Sequence, residues 1–147
     1  MDTNLLLLYL VGAYDRRLVS RFKRTADRFE PEDFDTLARL LGQFDVIVTT
    51  PYVLTEASNF LGQLSGRVKE ECFTLFARSI SKMSEKHTLA TNLSRSPAFI
   101  KFGLTDVSIH EAAKDYLVLT DDFPLAGYLG RQGVDVLNFN NIRLLGY

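Results

Sequence analysis

Apolar positions change period several times along this chain, and the changes divide it into elements. Leu5 to Val11 is apolar almost without a break, which predicts a helix over about residues 4–12 that is buried on most faces. Thr3 or Asn4 can cap it and Gly12 can end it. From Asp15 to Phe29 the period is helical, with Leu18, Phe22, Ala26 and Phe29 in one stripe. Pro31 to Leu41 reads as a third helix, with Pro31 in its first turn and Glu32 and Asp33 at its positive dipole end. Within Asp45 to Thr49, the β-branched run Val46-Ile47-Val48 suits a buried parallel strand. Pro51 starts a helix that carries Glu56 and reaches about Leu64. Another helix runs from about Arg67 to Met83, with Val68, Cys72, Leu75, Phe76, Ser79 and Ile80 on one side. His87 to Pro97 is polar and loop-like, and a short helix over about 104–113 bears Asp106 near its start. Tyr116 to Leu119 reads as a strand, Phe123 to Arg131 as a helix capped by Gly133, and Val134 to Leu137 as a last strand. Strands alternating with helices imply an α/β fold with a mostly parallel sheet covered on both faces.

At 147 residues the chain is one domain with a real core. Seventeen basic and eighteen acidic residues leave a net charge of −1, so any site for a polyanion must be local. The single cysteine, Cys72, excludes an internal disulfide and fits a reducing compartment. Leu5 to Val11 is too short to span a bilayer, and no positive residue precedes it. These features read as a cytoplasmic protein without a membrane segment.

Four acidic positions stand where packing alone gives no reason for them. Asp2 meets an apolar helix, Glu56 lies in Thr55-Glu56-Ala57, Asp106 in Leu104-Thr105-Asp106-Val107, and Asp121-Asp122 follow Val118-Leu119-Thr120. Ionised carboxylates are rarely buried unless they are paired or bind metal. Carboxylates that each border an apolar segment suggest one pocket assembled by the fold, suited to a hard cation such as Mg²⁺ or Mn²⁺. In parallel sheets such pockets lie at the carboxyl ends of the strands, where Asp2 and Asp121 or Asp122 are placed.

These segments resemble the four acidic motifs of PIN domains: Asp2-Thr3-Asn4-Leu5-Leu6, the glutamate of Tyr52-Val53-Leu54-Thr55-Glu56, Leu104-Thr105-Asp106-Val107-Ser108-Ile109, and Val118-Leu119-Thr120-Asp121-Asp122-Phe123. They occur in the family's order and span nearly the whole chain. The resemblance implies a three-layer α/β/α sandwich and metal-dependent hydrolysis of RNA phosphodiester bonds. It further implies a VapC-like toxin restrained by an antitoxin protein. By the same resemblance, Asp2, Glu56, Asp106 and the Asp121–Asp122 pair are metal ligands or orient the attacking water. Asn4 orients Asp2, and Thr120 places a hydroxyl near the metal or the scissile phosphate. The family's last acid falls two residues after the threonine, at Asp122, with Asp121 adjacent. Family members carry an apolar strand before the first aspartate. Here only Met1 precedes Asp2, so the first strand reads as truncated: either the natural chain begins earlier or this one lacks that central strand.

Arg17, Arg21, Arg24 and Arg28 recur at helical spacing, joined by Arg16 and Lys23, and form the best candidate for contacts to an RNA backbone. A solvated face paired with Asp15, Asp27 and Glu30 explains the cluster equally well. His110 follows Asp106 by one helical turn and reads as an outward or supporting residue, and His87 reads as loop. Phe60, Leu61, Phe73 and Phe76 suit either the core or a homodimer surface. Two function classes follow: an endoribonuclease, or a catalytically inactive PIN-like module that binds RNA or protein. A dehalogenase-like phosphatase fits poorly because Asn4 stands where its second aspartate is expected. A phosphoacceptor regulator fits poorly because no lysine follows Val134.

Overall fold

The structure, a computed structural model, describes residues 1–146. Its elements alternate in the order α1 (Thr3–Tyr14), α2 (Lys23–Ala26), α3 (Pro31–Leu41), β1 (Val48–Thr49), α4 (Pro51–Leu61), α5 (Gly66–Ile80), β2 (Ser84–Glu85), α6 (Ala90–Leu93), α7 (Phe99–Ala112), β3 (Val118–Thr120), α8 (Phe123–Arg131), β4 (Val136–Asn138) and α9 (Phe139–Leu144). The class is mixed α/β, with helices predominating. No helix among the described residues is long and apolar enough to cross a membrane.

α1 is the centre of the molecule. Leu5, Leu6, Leu7, Leu8, Leu10 and Val11 are all buried, as its unbroken apolar sequence requires. It packs against α3, α4 and α5. Gly12 lets α3 approach, because a Cβ there would collide with the Phe34 ring. Leu61 and Phe76 are core residues, and Phe60 and Phe73 pack partly buried against that core. Cys72 is fully buried, and desolvation pushes its thiol up to about 11, which keeps it unreactive.

The strands form two separate two-stranded parallel sheets. β1 pairs with β2 (Val48 opposite Ser84) and β3 pairs with β4 (Val118 opposite Val136). Parallel strands turn alternate residues to alternate sides. Ser84 N–H donates to the Ile47 carbonyl and Lys86 N–H to that of Thr49, so Val48 turns its own backbone groups away from β2. Val118 N–H donates to Asp135, which turns Leu119 the other way. There Asp2 N–H donates to the Leu119 carbonyl at 3.1 Å. Met1 and Asp2 thus lie along β3 on the side opposite β4. Beyond them an apolar cleft, lined by Met1, Val46, Val48, Leu117, Leu119 and Leu137, separates the two sheets.

One predicted helix is not formed. The stripe from Asp15 to Phe29 is broken into a 3₁₀ turn at Arg16–Leu18 and the four-residue α2. Asp15 takes the Arg17 N–H on its side chain and caps the turn. Phe22 is extended (φ −82°, ψ 116°). The buried Thr25 hydroxyl shares its proton between the carbonyls of Val19 (2.7 Å) and Phe22 (3.0 Å), which fixes the bend. A second difference lies in α7, where Gly103 (φ 79°) kinks the chain and lets a new helical stretch begin before Asp106.

Candidate carboxylate site

Asp2 is the N-cap of α1. One carboxylate oxygen accepts Leu5 N–H at 3.0 Å. The other accepts the Thr120 hydroxyl in a short bond and the Asp121 N–H at 3.0 Å. Thr120, at the end of β3, is fully buried, and its oxygen also accepts Asp122 N–H at 3.0 Å. Asp2 therefore clamps the 120–122 turn that carries both later acids. Burial, and next the Asp121 carboxylate, raise Asp2 to about 7 against the pull of these donors.

The neighbouring acids divide. Asp121 is buried, and its oxygens accept Asn4 Nδ2 at 3.0 Å and Arg28 Nη1 at 2.9 Å. The expectation that Asn4 orients Asp2 is thus corrected, because its amide reaches Asp121. Asp122 caps α8 through Leu125 N–H at 2.8 Å and lies within electrostatic reach of Asp106. Of the adjacent pair, Asp122 joins the Asp106 group and Asp121 joins Asp2.

Asp106 lies on α7, and Glu56 comes from α4. Burial is the largest cause raising Asp106, to about 6, followed by the charges of Asp122 and Glu56. Thr105 donates its hydroxyl to Glu56 at 3.0 Å and so fixes the carboxylate beside Asp106. Behind them the buried Ser108 hydroxyl donates to the Thr105 carbonyl (2.6 Å) and lies 2.8 Å from Thr50 Oγ1, the cap of α4. Glu56, Asp106 and Asp122 therefore converge from α4, α7 and the start of α8. Among the described residues, no group of three or more His, Cys, Asp or Glu side chains is placed to hold a metal ion.

The basic cluster is divided by the broken helix. Arg16 pairs with Asp35 and Glu32, and Arg17 with Asp15. Arg28 alone of the series reaches the acids, held in place where Arg143 donates to its carbonyl at 2.9 Å. His110 is turned to Tyr128, with Nδ1 at 3.3 Å from its hydroxyl and the rings edge to face. Sequence reasoning missed Thr105, Ser108, Thr50 and the Arg28–Asp121 pair. The first two flank Asp106 in Thr105-Asp106-Val107-Ser108, and Thr50 precedes Pro51 as a helix cap should, so each carried a local signal. The Arg28 pair spans 93 residues and carried none.

No protein-family model, curated protein or solved structure matches this chain.

Proposed function

We propose that this chain is a metal-dependent endoribonuclease on a PIN-like domain, hydrolysing RNA phosphodiester bonds. The observation that carries the proposal is the approach of Glu56, Asp106 and Asp122 from three chain segments, where burial first, and then the charges of Asp122 and Glu56, raise Asp106 to about 6. Like charges held together in a half-buried place cost folding free energy, which a bound divalent cation would offset. The donor set is carboxylate oxygen, which suits Mg²⁺ or Mn²⁺. Mg²⁺ commonly binds through one or two carboxylates, with water and substrate phosphate completing its shell, so this use does not require three acids gathered around the ion.

Asp106 and Asp122, with Glu56, would hold the cation. When bound, it supplies charge neutralisation at the phosphate and activation of the attacking water. Glu56, fixed by Thr105, is positioned to orient that water. Asp2 and Thr120 hold the turn that presents Asp122, and Asp121 anchors Arg28 at the rim, where its guanidinium can meet a phosphate oxygen. The same reading includes a three-layer arrangement in which Met1–Asp2 marks the position of a strand between β1 and β3. It extends to a toxin paired with an antitoxin protein, which an adjacent reading frame for a small DNA-binding protein would support.

The test is Mn²⁺-dependent cleavage of RNA by the native chain and by Asp106→Asn. We expect cleavage that chelation abolishes and that the substitution lowers by about a hundredfold or more, the loss of roughly 3 kcal/mol of barrier lowering. Cleavage unchanged by Asp106→Asn contradicts the proposal.

A second reading, an inactive RNA- or protein-binding module, is favoured by one observation. Asp2 and Asp121 satisfy their carboxylate oxygens with protein donors, Arg28 included. It predicts no cleavage by the native chain, and RNA affinity that Asp106→Asn leaves intact or raises.

A further inference from the structure

We propose that Lys23, Arg24, Arg28 and Gln63 form a subsite for a backbone phosphate of single-stranded RNA, adjoining the carboxylates. The inference rests on the nuclease reading and names where its substrate is held. These residues and Asp27 line one concave polar surface, with three cations against one carboxylate. Among the described residues no ion pair engages Lys23 or Arg24, whereas Arg16 and Arg17 are neutralised by their neighbours. Cationic charge is thus left free in one concave place, although the chain as a whole has none to spare.

The bend that breaks the predicted helix builds this surface. Thr25 is buried and ties the backbone to Val19 and Phe22, while Lys23 and Arg24 just before it are exposed. The Arg24 guanidinium lies 3.6 Å from the centre of the Phe60 ring, which orients it as a flat plate. Such a plate offers N–H donors at its edge to a phosphate and a face on which a base can stack. Stacking requires an unpaired base, which selects single-stranded RNA over a duplex. Arg28 belongs to both places: it lines this surface, and its Nη1 donates to Asp121. A strand bound through it passes directly beside the carboxylates.

The test measures binding without cleavage. A fluorescent 2′-O-methyl RNA 12-mer is titrated in EDTA over a range of salt concentrations. The proteins are the native chain, Lys23→Ala/Arg24→Ala, Arg24→Lys, and Arg78→Ala as a control on the exposed side of α5. Thermal melts confirm that each variant is folded. Each phosphate contact to a single strand contributes about −0.7 to the slope of log K against log salt. We expect the double variant to flatten the slope by about 0.7 and to weaken binding at least several-fold at about 0.1 M salt. Arg24→Lys should keep the slope but bind more weakly, and Arg78→Ala should match the native chain. A native slope in the double variant overturns the subsite, as does failure of the native chain to bind the 12-mer. An equal loss on a duplex of the same sequence overturns the single-stranded class. Because no metal is present, these results leave Mn²⁺-dependent cleavage to be judged separately.

Discussion

Asp106 keeps its proton to a higher pH in the folded chain than in the unfolded one. Burial and the neighbouring charges of Asp122 and Glu56 raise it from 3.8 to about 6. Below pH 4 both states are protonated and the group makes no difference. Between pH 4 and 6 the folded state binds more protons, so stability falls as pH rises, and the loss is complete above pH 6. Asp106→Asn removes this cost. We expect the variant to be more stable than the native chain by about 2 kcal/mol at pH 8, after discounting the full shift for partial exposure. The gain should vanish at pH 4. Urea melts at the two pH values measure it, and a variant no more stable at pH 8 would contradict the convergence of these acids. The acids themselves were legible in the sequence as oddly placed charges. Their partners were not, because residues far apart in the chain supply them. Thr120 reaches Asp2, Thr105 reaches Glu56 and Arg28 reaches Asp121.

α1, α3 and α8 followed from sequence because local signals agreed. The apolar run of α1 is buried on most sides, Pro31 opens α3 with Asp33 taking the Glu30 N–H, and Asp122 caps α8. The segment from Asp15 to Phe29 misled because its apolar stripe is real while its backbone is not helical throughout. Side-chain bonds from Asp15 and Thr25 to the backbone outweigh the period. The strands are shorter than their β-branched runs, since only Val48–Thr49 of Asp45–Thr49 pairs. The contact between α1 and α3 was hidden for another reason: Gly12, read as a helix end, lies inside α1 as the place where Phe34 enters. Gly12→Ala should therefore cost about 1–3 kcal/mol through overpacking. Gly12→Ala combined with Phe34→Ala should cost clearly less than the sum of the two single changes. A double-mutant cycle by chemical denaturation measures this, and strict additivity would refute the contact.

Three levels of structure meet at the 120–122 turn. The buried helix α1 presents Asp2 at its start, Asp2 and Thr120 fix the turn, and the turn hands Asp122 to Asp106 and Asp121 to Arg28. The α/β class was legible from the alternation of strands and helices. The division into two small sheets was not, because a central strand is specified by what pairs with it, and here Met1–Asp2 contributes a single backbone bond to β3. Neither division obstructs the acids, which hang on helix starts and on α4. The central claim is that the fold assembles a carboxylate pocket for a divalent cation, and thermal unfolding across a Mn²⁺ titration tests it most directly. A cation bound only by the folded chain, at about 100 times its dissociation constant, adds about 2.7 kcal/mol. We predict a midpoint that climbs with Mn²⁺ in the native chain and stays level in Asp106→Asn. A midpoint that does not move in the native chain up to millimolar Mn²⁺, or that climbs equally in both proteins, would contradict the account.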